Sequence, residues 1–220
     1  MTPVLRTLDR IPKVWGLSSF FLVFLLSAAF GAYSVSRTAE TVQLTSSQPP
    51  NPPRYPPSLK SMLLNVRGER VVLQKGSQGS VILTMAPWCR FCGYEDRWVL
   101  PHIAQAYPSV AIDVVDVSYM GGIASPGPEY PPFHGADGQK TKTLPEGKVL
   151  SIMRQYIRQL HLSQTALNFY VVAPHQTVAE ATSIVPQWYV FNSQGVLVAH
   201  YRGALTLQQA SPWIYALLKP

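Results

Sequence analysis

The sequence predicts an α/β domain on a mixed sheet, carried behind one N-terminal membrane-spanning helix. Three observations predict it. Val81 to Met85 is a short apolar run with the length and β-branched start of a buried strand, and it leads through Ala86-Pro87-Trp88 into Cys89-Arg90-Phe91-Cys92 and a candidate helix from Phe91 to Tyr107. Ala111 to Val117 reads as a further strand, and strand, helix, strand at this spacing implies a right-handed crossover and a parallel pair. Val14 to Ser36 carries no charge over 23 residues, and such a run spans roughly 35 Å as a helix, enough for a bilayer.

Composition narrows the classes. The chain has 220 residues, 47% apolar and 13% charged, which fits one globular domain with attachments. Of 18 Lys/Arg and 11 Asp/Glu, three and one precede Arg37, leaving 15 against 10 in the rest of the chain. That excess is mild and scattered, with no basic run beside stacking aromatics, so it reads as a solvated surface and no nucleic-acid partner is expected.

In chain order, residues 1–13 hold Arg6, Arg10 and Lys13 against Asp9, and this positive flank predicts an N-terminus in the cytoplasm. Residues 14–36 form the transmembrane signal anchor. A cleaved signal peptide, cut near Ser27-Ala28-Ala29 or Ala29-Phe30-Gly31, is the alternative, but the uncharged run is long for one. Either way the C-terminal domain is extracytoplasmic, in a periplasm or at the cell exterior. Residues 37–60 are a Pro-rich linker; six of the ten residues from Gln48 to Pro57 are proline, which favours a stiff polyproline II spacer.

The globular domain occupies 61–220. Met62 to Val66 and Glu69 to Leu73 flank Arg67-Gly68 as a hairpin, and a Gly/Ser loop from Gly76 to Gly79 leads to the central strand. Residues 119–147 read as an insertion loop, with Gly121-Gly122 and four prolines between Pro126 and Pro132; loops of this length are usually functional or mobile. Thr143-Leu144-Pro145-Glu146 is a plausible capping box opening a helix. Val149, Met153, Tyr156, Ile157 and Leu160 share one face of it, and Arg154, Gln155, Arg158 and Gln159 the other. Phe169 to Val172 is a strand. Trp188 to Phe191 and Val196 to Tyr201 form a hairpin about Asn192 to Gly195. A last helix starts at Thr206 or, with the better cap-plus-proline pair, at Ser211-Pro212.

The chain has two cysteines, and both lie in the C-x-x-C. No further thiols suggest a zinc site, and no His follows Cys92 to make a haem attachment. A pair two residues apart at a strand-to-helix junction can open and close a disulfide without moving the fold. The helix amino end offers free N–H groups and a partial positive charge, which favour a thiolate. The pattern points to thiol–disulfide exchange on protein substrates, with Cys89 attacking and Cys92 resolving. No cofactor is expected beyond the Cys89–Cys92 redox pair. Arg90, beside Cys89, is expected to stabilise its thiolate and so the reduced form. Recycling needs another protein, and the anchor makes a membrane redox partner the natural choice.

With these pieces the chain resembles the thioredoxin-like superfamily. Within it, the likeness is to membrane-anchored extracytoplasmic thiol–disulfide oxidoreductases that serve cytochrome maturation and envelope disulfide chemistry. The resemblance covers roughly 62–218. It is carried by the hairpin L-L-N-V-R-G-E-R-V-V-L, by A-P-W-C-R-F-C, by Val185-Pro186 before W-Y-V-F-N-S-Q-G, and by R-G-A-L before the last helix. It implies a three-layer sandwich, a central mixed sheet with helices on both faces. It also implies that Pro186 is cis beside the sulfurs, that the backbone of Val185 pairs with an extended substrate segment, and that Trp88 lines the site. Thioredoxin keeps a buried acid six residues before its first cysteine, where this chain has Leu83. Glu95 or Asp96 could substitute, although acids near a helix amino end are the plainer reading.

Three alternatives stand beside this. The pair could be an inert disulfide. The chain could be a copper chaperone on the same fold, using the cysteines with His102, His134, His161, His175 or His200. It could be a non-catalytic adaptor that binds through 119–147.

Overall fold

Seven strands form one mixed sheet in the computed structural model, which describes residues 63–173 and 184–218. The stretches expected to be a cytoplasmic N-terminus (1–13), a membrane anchor (14–36) and a linker (37–60), together with His175, lie outside the described residues. Among the described residues, no helix is long and apolar enough to cross a membrane.

The chain runs β1 (Leu63–Asn65), β2 (Arg70–Val71), β3 (Gly79–Met85), α1 (Arg90–Tyr94), a π-helical stretch (Glu95–Val99), α2 (Leu100–Ala106) and β4 (Val110–Asp116). It continues through α3 (Glu146–Gln159), β5 (Asn168–Val172), β6 (Gln187–Asn192), β7 (Leu197–Arg202) and α4 (Leu207–Leu218). The strand order is β2-β1-β5-β4-β3-β6-β7. β3, β4 and β5 are parallel, and the other pairings are antiparallel. The parallel pair expected from the C-x-x-C crossover is β3 with β4, in register from Gly79–Val110 to Met85–Asp116. All seven residues of β3 are buried, Ser80 and Thr84 included, which is why Val81, Ile82 and Leu83 are apolar on both faces without alternation.

The sheet buries apolar side chains on both faces. Val81, Leu83, Met85, Ile112, Val114, Val171, Trp188 and Val190 pack against the helices, and Ile82, Val115, Tyr170, Val172, Tyr189 and Phe191 form a second cluster behind. The expected helices on both faces need correction. Among the described residues, α1 to α4 all contribute to the first cluster and none to the second. The crossovers β3 to β4 and β4 to β5 step in the same direction across the sheet, and right-handed crossovers in one direction place their helices on one face.

The start of α3 differs from expectation, and α4 takes the earlier of its two expected starts, directly after Thr206. α3 begins at Glu146 after Pro145, with no side-chain cap. Thr143 is instead paired with Met120 in an isolated bridge, and the Leu144 N–H donates to the Tyr119 carbonyl, so the capping box is not formed. α4 starts at Leu207, and Pro212 lies inside it. The Gln209 and Ala210 N–H groups donate to the Thr206 carbonyl, and the Leu205 N–H is drawn to Glu95. That tertiary contact recruits an earlier turn than the local signal at Ser211-Pro212 favours. The apolar stripe of α3 is core, as expected, with Val149, Met153, Tyr156 and Leu160 buried.

Candidate active site

Cys89 sits where β3 hands over to α1. Its backbone is extended (φ −84°, ψ 117°), and it is the N-cap of α1. In that position its side chain takes the place usually held by Ser or Asp: Sγ accepts the Cys92 N–H at 3.3 Å. The Gly93 N–H donates to the Cys89 carbonyl at 3.0 Å, so the turn is closed from both ends. Both cysteines are thiols. Cys89 keeps 3% of its surface and Cys92 none.

The two sulfurs differ chemically although they share one turn. The Cys92 thiol beside it, and the N–H groups of Cys92 and Phe91, lower the Cys89 pKa against the opposing effect of burial. Burial first, and then the neighbouring Cys89, push Cys92 well above the ordinary thiol range, and the charge of Glu95 adds to this. An acidic sulfur at the rim and a proton-holding sulfur beneath it is the asymmetry that attacking and resolving roles require.

The structure brings most of the sequence-predicted residues to this point. The Val185–Pro186 peptide is cis. The Val185 carbonyl lies 3.9 Å from the Cys89 sulfur, within sulfur hydrogen-bond range. Trp88 is held by its indole N–H on Ser118 Oγ at 2.9 Å, and Lys140 Nζ sits 3.7 Å above its ring. Trp88 and Val185 line a cavity of about 170 Å³ together with Ala86, Val117, Tyr119 and Met120, and its walls are mainly apolar.

Arg90 turns toward the 119–147 segment. Its guanidinium reaches the Gly135 carbonyl at 3.5 Å and stacks 4.8 Å over the Phe91 ring. The groups that lower the Cys89 pKa are the Cys92 thiol first, and then the N–H groups of Cys92 and Phe91.

Glu95 and Asp96 are the residues that sequence reasoning undervalued. Both are completely buried. One Glu95 oxygen accepts the Trp188 indole N–H at 2.6 Å and the Leu205 N–H at 2.7 Å, and its other oxygen has no partner. Asp96 accepts the Tyr156 hydroxyl through Oδ2, and its Oδ1 has no partner. Burial raises Glu95 well above the carboxylate range and takes Asp96 up to about 8. The signal was present in the spacing: Cys92, Glu95, Asp96, Val99, Leu100 and Ile103 share one helical stripe, and all six are buried. Two acids on an apolar stripe are not helix-end acids.

The backbone adjusts at this point. Residues Glu95–Val99 form a π-helical stretch, with the Leu100 N–H on the Glu95 carbonyl. Pro101 follows inside the next turn and cannot donate to the preceding ladder. Such widened turns are frequent at functional sites. The strand β4 adds Asp116, also buried, with one oxygen on the Ser118 N–H and the other without a partner.

The 119–147 segment lies against the Cys89–Cys92 turn. The Ala124 N–H donates to the Pro87 carbonyl and the Gly138 N–H to the Trp88 carbonyl, both at 2.8 Å. The Phe133 ring stands 4.6 Å from that of Tyr94 and 5.6 Å from that of Phe91. The Trp98 indole N–H reaches the Gly127 carbonyl at 3.2 Å. Among the described residues, no group of three His, Cys, Asp or Glu is placed to hold a metal ion.

No family model matches this chain, and no curated protein does. Solved structures do. A secreted Mycobacterium tuberculosis disulfide oxidoreductase, described as homologous to Escherichia coli DsbE, is 16% identical, with 72% of this chain and 97% of that one covered at a TM-score of 0.48. StoA from Bacillus subtilis is 15% identical over 69% of this chain and 93% of its own, with a TM-score of 0.44. An uncharacterised conserved protein from Geobacillus kaustophilus is 20% identical over 77% of this chain and 82% of its own, with a TM-score of 0.49. Likeness at this level leaves the roles of individual residues to the geometry.

Proposed function

We propose that this chain performs thiol–disulfide exchange on protein substrates, as a membrane-anchored, extracytoplasmic oxidoreductase of the thioredoxin-like superfamily. One observation carries the reading: an N-cap cysteine made more acidic by the Cys92 thiol and its own helix end, 3.9 Å from the carbonyl before a cis proline, over a second cysteine that burial keeps protonated.

The Cys89 thiolate attacks one sulfur of a substrate disulfide. The substrate S–S bond breaks, a Cys89–substrate bond forms, and the other substrate sulfur leaves as a thiolate that takes up a proton. Cys92 then gives up its proton and attacks the Cys89 sulfur. The mixed disulfide breaks, Cys89–Cys92 forms, and the substrate departs as a dithiol carrying two electrons. Run in reverse, the same atoms oxidise a dithiol. The substrate arrives as an extended segment whose backbone meets that of Val185, with Trp88 beside the sulfur. A membrane redox protein restores the pair.

The test is covalent capture. Cys92→Ala is expected to hold substrate in a mixed disulfide that survives non-reducing electrophoresis, and Cys89→Ala is expected to hold none. Absence of any adduct from the first variant, with the fold intact, removes the exchange reading. Equilibration with glutathione assigns the direction: a potential near thioredoxin's, about −270 mV, means a reductant, and one near about −120 mV an oxidant. The location has its own test, since a C-terminal reporter that is active only in the cytosol would remove the extracytoplasmic half.

A further inference from the structure

We propose that Asp137, a residue of the 119–147 insertion, sets the thiolate fraction of Cys89 by holding a negative charge on the amino end of the redox helix. Its functional consequence rests on the exchange reading above.

The insertion grips both chain neighbours of the attacking cysteine. The Gly138 N–H donates to the carbonyl of Trp88, and Asp137 Oδ1 accepts the N–H of Arg90 at 2.9 Å. The Arg90 guanidinium closes the same clasp on the Gly135 carbonyl. The clasp is packed backbone against backbone. A Cβ on Gly135 would lie 2.0 Å from the Ser125 carbonyl oxygen, and one on Gly138 would lie 2.5 Å from the Ile123 nitrogen. Asp137 is therefore delivered to the helix end by a segment with little room to shift.

At that end the first backbone N–H groups have no partner within the helix. The Cys92 N–H goes to the Cys89 sulfur, and the Arg90 N–H goes to the Asp137 carboxylate. Two anions thus draw on one partial positive charge. The carboxylate works against the thiolate, and it raises the Cys89 pKa while the helix end lowers it.

The other titratable groups around the sulfurs are poor rivals for this role. Cys92, Glu95 and Asp96 on the same helix, Tyr156 on α3 and Asp116 on β4 are all displaced by burial toward their protonated, uncharged forms. Asp137 is exposed, and the cations beside the turn are engaged elsewhere, Arg90 on the Gly135 carbonyl and Lys140 over the Trp88 ring. A less stable thiolate means a less stable reduced form, so Asp137 biases the pair toward donating electrons.

The test uses the 220-residue chain carrying Cys92→Ala, so that iodoacetamide marks Cys89 alone, and follows alkylation against pH. Asp137→Asn keeps the oxygen that caps Arg90 and removes only the charge. The profile is expected to move to lower pH, with the thiolate-to-thiol ratio at a fixed pH about two- to fivefold higher at low salt. The difference should shrink as salt screens the exposed carboxylate. With Cys92 restored, the glutathione equilibrium should move toward the reduced form by a similar factor. If Asp137→Asn leaves the profile in place while Asp137→Ala moves it, the side chain is only a structural cap and the proposal is wrong. No movement in either variant also overturns it. Alkylation needs no substrate, so a failed capture experiment sinks the exchange reading and leaves this measurement informative.

Discussion

Glu95→Gln is expected to accumulate mixed disulfide, with release slowed about 100-fold and capture within about twofold of normal. In the proposed cycle capture uses Cys89, whose pKa the Cys92 thiol and then the helix-end N–H groups lower. Release uses Cys92, which must lose a proton inside a fully buried pocket that holds that proton tightly. A nearby base is needed. Glu95 is buried, electrostatically coupled to both sulfurs, and carries one oxygen without a partner. Burial raises its pKa toward that of the Cys92 thiol, so whenever it ionises it is a strong enough base to take the thiol proton and then keep it. Gln keeps an oxygen for the Trp188 and Leu205 N–H donors and cannot take the proton. Rapid quench with a model disulfide separates the two steps. Equal slowing of both, or of neither, would remove Glu95 from proton transfer.

Asp96→Asn is expected to stabilise the fold by about 2–4 kcal/mol at pH 7 and by little at pH 3. Folded, Asp96 keeps its proton up to about pH 8, against an ordinary value of 3.8. The folded chain therefore binds more protons than the unfolded chain between those values. Its stability is full below the lower value and falls as pH rises toward the upper one. Each unit of displacement is worth about 1.4 kcal/mol, so the roughly three units accumulated by pH 7 set the ceiling at about 4 kcal/mol. Asn carries no titrating group and still accepts the Tyr156 hydroxyl. Urea unfolding at the two pH values checks this. An equal effect at both, or a loss at pH 7, would show that burial does not hold Asp96 protonated. A buried acid that costs stability at neutral pH is best understood as retained for the site.

The legible part of the site was the part written locally. Cys89, Trp88 and Cys92 are read from one continuous stretch, because an apolar run followed by a C-x-x-C fixes a strand, a turn and a helix start. The crossover to Val110–Asp116 followed from spacing. The two acids were visible only as residues on the Cys92 stripe, and the pull of the helix-end pattern obscured that. Asp137, Ser118 and Leu205 could not be found locally, since each reaches the site from a different loop. The capping box at Thr143 and the proline cap at Ser211 failed for one reason: a bridge to Met120 and a hydrogen bond to Glu95 outweighed end signals worth about 1 kcal/mol each.

By itself, the sequence determined which sulfurs can react and where the sheet's buried strand lies, because both depend on neighbours in the chain. Only the tertiary structure decided how strongly burial holds the Cys92 proton, which carboxyls keep theirs, and which loop touches the helix end. Those properties depend on desolvation and on charges brought close by folding, and neither has a fixed distance along the chain.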